Sequence, residues 1–105
     1  MEKTIIKYLP TFYSDLEETL NYISNVLLNR SASDDLLDEI ENAILSRSEY
    51  PEAFEKYNSI KDRKNPYYRI YVKNYVIYYT VIPGNPAVME IRRFLHNKRN
   101  MNKII

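Results

Sequence analysis

The sequence contains no cysteine and no tryptophan, a single glycine and a single histidine. Without cysteine there is neither a disulfide framework nor a thiolate zinc site. One histidine and no compact acidic cluster at ligand spacing make a metal centre unexpected, and no cofactor is implied. The lone glycine, Gly84, excludes a glycine-rich phosphate loop and with it the ordinary nucleotide-binding motifs. No apolar run approaches the ~20 residues that span a bilayer, and the N-terminus lacks the apolar core of a signal peptide. The expectation is a cytoplasmic protein with no membrane partner.

What is present fits one compact domain, residues 1–105, with 45% hydrophobic and 28% charged residues. The net charge of +1 hides a division. Residues 1–55 carry twelve acidic side chains and four basic ones; residues 56–105 carry eleven basic and two acidic ones, Asp62 and Glu90. Such an asymmetry points to a second half that meets a polyanion. The plainer alternative is that the halves attract each other and face water.

Periodicity orders the elements. "KTIIKYL" reads as a short strand with Ile6 and Tyr8 on one side and Ile5, Lys7 and Leu9 on the other. Pro10 suits a helix start. Phe12, Leu16, Leu20, Ile23 and Leu27 then form an apolar helical stripe, with Asp15, Glu17 and Glu18 near the dipole's positive end. "NRSAS" breaks the helix, and Ser31 or Ser33 is expected to cap a second one, whose stripe is Leu36, Leu37, Ile40, Ala43 and Ile44. A short connection predicts an antiparallel helical hairpin. Residues 52–66 read as a polar connection. "YYRIYV" and "YVIYYTVI" are strands joined tightly at Lys73-Asn74, where Asn is expected to take a positive φ. "PGNP" turns the chain into a last strand, "AVMEIRRFL", with Met89, Ile91 and Leu95 assigned to one face and Glu90, Arg92 and Phe94 to the other. The expected fold is α+β, in the order β-α-α-β-β-β: an antiparallel sheet packed on one face by an N-terminal helical hairpin, its other face or rim left for binding.

Six tyrosines lie between Tyr67 and Tyr79. Most suit strand packing, but some, such as Tyr71, have the chemistry to stack on RNA bases. Arg69 is a charged residue in the middle of a strand. His96 stands among Arg93, Lys98 and Arg99. A histidine exchanges protons near neutral pH, and cations beside it can hold a phosphate and stabilise developing charge. A lone histidine is more often an ordinary surface residue, and that reading stays open beside the catalytic one.

"LPTFYSDLEETLNYI", "YYRIYVKNYVIYY" and "VMEIRRFLHNKRN", in this order and spacing, resemble the RelE/ParE superfamily, the toxins of bacterial type II toxin–antitoxin modules, over nearly the whole chain. The resemblance implies a growth-inhibiting toxin, of the kind associated with plasmid stabilization, that a cognate antitoxin neutralises in a hetero-oligomer. RelE-like members are metal-independent, ribosome-dependent mRNA endonucleases (mRNA interferases), in which a 2′-hydroxyl attacks the adjacent phosphate. ParE-like members bind DNA gyrase without enzymatic activity. The first is the leading expectation and the second its alternative. By the resemblance, His96 moves the proton and Arg93 and Arg69 clamp the phosphate. On the leading expectation Lys61, Arg63, Lys64, Lys98, Arg99 and Tyr71 would contact ribosomal or messenger RNA. Two positions depart from the ribonuclease pattern: Val76, not arginine, follows Tyr75, and no tyrosine follows His96. An antitoxin segment is expected to add a strand to an exposed edge or to lay an amphipathic helix on the helical hairpin, with acidic residues near 91–99.

Overall fold

The computed structural model describes residues 4–54, 56–57 and 65–98. Strand β1 (Ile5–Tyr8) leads into helix α1 (Pro10–Asn21), which continues as a π-helical turn, Tyr22–Val26. Helix α2 (Arg30–Arg47) follows, then a two-residue strand β2 (Lys56–Tyr57), β3 (Tyr67–Val72), β4 (Tyr75–Ile82) and β5 (Val88–His96). Pro10 occupies the first helical turn, as expected.

The five strands form one sheet in the order β1-β5-β4-β3-β2. The sheet is mixed, because β1 runs parallel to β5 while the other neighbours are antiparallel. The α+β architecture with helices on one face is the expected one; the parallel β1 and the added β2 are its refinements. The reason is that β1 pairs with the last strand, which runs in its own direction, and not with a hairpin neighbour. Among the described residues, no helix is long and apolar enough to cross a membrane.

The core lies between helices and sheet. Phe12 of α1 and Leu36, Ile40 and Ile44 of α2 meet Tyr68, Ile70, Ile77, Tyr79, Met89, Ile91 and Phe94. On the opposite face Tyr67, Val76, Tyr78 and Leu95 make a second buried cluster. That face is therefore not simply left open for binding. Four of the six hairpin tyrosines are buried, Tyr75 is partly buried, and Tyr71 is exposed.

Three local expectations are corrected. The cap of α2 is Asn29, whose side chain accepts from the Ala32 N–H at 3.0 Å; Ser33 is buried within the helix and its hydroxyl donates to Leu20 O at 3.4 Å. In the β3–β4 turn it is Lys73, not Asn74, that takes the left-handed backbone, with φ 53°. In β5 the register passes from Tyr78–Arg93 to Tyr79–Ile91, so Arg92 is an extra residue in a β-bulge. The bulge reverses the alternation beyond it. Phe94 joins Met89 and Ile91 against the helices, and Leu95 goes to the other face. Without it Arg93 would enter the apolar core.

Candidate functional site

The residues proposed for chemistry cluster around the C-terminal half of β5. Strand β1 pairs with only Val88–Ile91 of this strand, and the Leu9 N–H makes the last contact, to Ile91 O at 2.9 Å. Past that point α1 has turned away, and its Asp15 takes over the exposed edge. One carboxylate oxygen accepts from the Phe94 N–H at 3.0 Å and from Arg93 Nε at 2.7 Å. The other accepts from Arg93 Nη2 at 3.1 Å. This fork-to-fork pair is well shielded, the Arg93 side chain being 22% exposed and that of Asp15 13%. The hydrogen bond to Asp15 raises the Arg93 pKa further above its already high ordinary value. Arg93 is thus a fixed cation whose charge is matched within the chain.

His96 lies on the helix side of the sheet. Its ring meets Tyr75 edge-on at 5.4 Å between centroids, and Tyr75 stacks on Phe94 at 4.9 Å. The Lys98 N–H donates to His96 Nδ1 at 3.2 Å, so in the neutral ring Nε2 carries the proton. The histidine borders a cleft of about 280 Å³ lined also by Asp15, Glu18, Thr19, Tyr22 and Tyr75. Its charged companions there are carboxylates of α1.

Arg69 occupies the face opposite the helices. It is the ladder partner of Tyr78, which in turn pairs with Arg93. Arg69 and Arg93 therefore share one cross-strand row, two strand spacings or roughly 10 Å apart. The Arg69 guanidinium lies 5.7 Å from the Tyr71 ring, and its carbonyl accepts from Arg47 Nη1 at 2.9 Å. His96 belongs to the row of Val72 and Tyr75 and faces the other way. The structure does not bring Arg69, Arg93 and His96 to one phosphate-sized point. Tyr71 and Lys98 are exposed. Lys61, Arg63, Lys64 and Arg99 lie outside the described residues.

Two features escape the sequence reading. Asp15 looks like a helix-dipole residue but is the partner of Arg93, 78 residues on. Its companion signal was the pair Arg92-Arg93 between Ile91 and Phe94: strict alternation cannot keep two adjacent arginines out of a core, so a bulge or a buried partner was required. The second is an apolar cleft of about 300 Å³ between the helices, bordered by Tyr8, Phe12, Tyr13, Leu37, Ile44 and Leu45.

A protein-family model described as ParE toxin of type II toxin-antitoxin system, parDE, matches residues 6–101. A comparison with curated proteins gave no match. The matched span takes in β1 from Ile6, the helical hairpin and all of β5, the elements that carry the features above. This chain belongs to the ParE toxin family of type II toxin–antitoxin systems, within the RelE/ParE superfamily, and has a cognate antitoxin as its partner.

Proposed function

We propose that this toxin arrests growth by binding DNA gyrase and not by cutting mRNA. The observation that carries this reading is the separation of His96 from the two arginines expected to work with it. Arg93 is held by Asp15 in a two-pronged ion pair, and His96 faces away from Arg69. General acid–base work on a phosphate needs the proton carrier and the anion-binding donors within about 3 Å of one site. Protein binding makes no such demand.

The test is inhibition of ATP-dependent supercoiling by purified toxin, run beside a translation extract in which message length is followed. Inhibited supercoiling with intact message is expected. Codon-phased cutting of A-site mRNA in programmed ribosomes, with supercoiling untouched, would overturn the reading. The ribonuclease reading keeps one observation in its favour: the Arg69–Tyr78–Arg93 row next to exposed Tyr71.

The antitoxin's seat on this reading is the cleft between α1 and α2. Tyr13 and Leu45 at its mouth are more than half exposed, and Glu41 stands at the rim. An amphipathic helix with apolar residues at i, i+3/i+4 and i+7 fits such a groove. Lys98, which has no ion pair among the described residues, offers a contact for an acidic antitoxin segment at the end of β5.

A further inference from the structure

The tip of the helical hairpin departs from ordinary helix termini in three ways at once. First, α1 ends in a π-helical turn, in which Leu27 N–H reaches back five residues to Tyr22 O at 3.0 Å. Beside it the Leu20 carbonyl accepts from the hydroxyls of Ser24, at 3.0 Å, and Ser33, at 3.4 Å. Second, Leu28 closes the helix in the left-handed conformation, φ 51°. That closing position favours glycine, because a β-carbon there crowds the backbone. Third, the turn presents apolar side chains to water. Leu28 is 82% exposed and Val26 64%, and Tyr22 and Leu27 are each more than half exposed.

Leu28 therefore serves neither packing nor backbone geometry. Glycine would relieve its backbone and a polar residue its hydration. π-Turns and non-glycine residues at positive φ gather at functional sites, where strain is tolerated for what it presents. The π-turn also explains why the stripe begun by Phe12, Leu16 and Leu20 stops at Ile23 and leaves Leu27 outside the core.

Charge narrows the occupant. From residue 10 to residue 47 the hairpin carries eight acidic side chains and two basic ones, Arg30 and Arg47. Glu17 and Glu18 stand before the tip, and Asp34 and Asp35 after it. Nucleic acid is repelled by such a surface. An apolar knob on a hairpin of net negative charge, with Arg30 its one basic neighbour, suits a protein pocket that is apolar inside and basic at its rim.

We infer that the tip formed by Tyr22, Val26, Leu27 and Leu28 is the surface with which this toxin engages gyrase, inserting its apolar side chains into a basic-rimmed pocket of the enzyme. This rests on the gyrase reading above. The experiment measures supercoiling inhibition by wild-type toxin, Leu28→Gly and Val26→Asp, with thermal unfolding, sedimentation and antitoxin affinity recorded for each.

Leu28→Gly is the critical variant, because relief of the backbone holds its Tm at or above that of the wild type. The expected result is inhibition by the wild type and at least a tenfold higher concentration of either variant for the same effect, with antitoxin affinity unchanged. Inhibition by both variants at wild-type concentration overturns the assignment of the tip while leaving the gyrase reading intact. Wild-type toxin without effect on supercoiling overturns both. A wild-type dimer that Leu28→Gly turns into a monomer assigns the tip to self-association, and lost antitoxin affinity with unchanged inhibition assigns it to the antitoxin. Each of these two results also overturns the proposal.

Discussion

Asp15 holds two elements with one carboxylate: it satisfies the Phe94 N–H at the edge of β5 and matches the charge of Arg93. Removing it leaves a shielded guanidinium without its anion and a backbone donor without an acceptor. Asp15→Ala is expected to lower stability by about 3 kcal/mol in urea unfolding. Asp15→Asn keeps an oxygen for the Phe94 N–H and should be less damaging by about 1 kcal/mol. Equal losses for the two would mean that the backbone contact contributes nothing. Tyr79 gives a second prediction at this scale. Its hydroxyl donates to Pro51 O at 2.7 Å and accepts from Arg47 Nη1 at 3.0 Å, and burial raises its pKa, only partly opposed by Arg47. A raised folded-state pKa means that the unfolded chain loses its proton first. Stability is then whole below the ordinary tyrosine value of about 10 and falls as pH rises past it, by up to ~1.4 kcal/mol per pH unit per tyrosine. Tyr79→Phe should flatten part of that fall in urea unfolding at pH 9–11, with Tyr8 and Tyr68, also raised by burial, supplying the remainder.

At the scale of elements, periodicity made the helices and strands legible, and local exceptions to it were what remained hidden. The stripes of α1 and α2 and the alternation of β3 place Phe12, Leu36, Ile40, Tyr68 and Ile70 in the core, where they lie. The bulge at Arg92 and the π-turn at Tyr22–Val26 each shift the register of the residues beyond them. The bulge shows locally only as the adjacent Arg92-Arg93, and the π-turn has no strong local signature; their partners, Asp15 and Ser33, lie far off in sequence. The same holds for the site. Arg69, Arg93 and His96 were visible as residue types, but the faces of Arg93 and His96 depended on the bulge. The β3–β4 turn offers a test of backbone preference. With Lys73 at φ 53°, Lys73→Gly is expected to stabilise by roughly 0.5 kcal/mol, seen as a Tm a few degrees higher. Its ion pair with Glu39, 3.9 Å long and half exposed at both ends, contributes little to set against that gain. A lower Tm would show that the turn does not strain Lys73.

For the whole molecule, the division of charge turns out to be answered partly from within. Asp15–Arg93 and Glu39–Lys73 both join the acidic helices to the basic strands. On the proposed reading the acidic hairpin carries both binding surfaces, an apolar groove between α1 and α2 for the antitoxin helix and an apolar tip for the target. Nothing in this division of surfaces requires a reacting phosphate. If the toxin works by binding, substitutions at the expected catalytic residues leave it toxic as long as the fold is kept. The most direct measurement is supercoiling by gyrase in the presence of wild-type toxin, His96→Ala and Arg69→Ala, with A-site mRNA cleavage in programmed ribosomes measured on the same preparations. The account predicts inhibition of supercoiling by all three, within about threefold of one another, and no cleavage. Cleavage by the wild type that His96→Ala abolishes, with supercoiling unaffected, would contradict it.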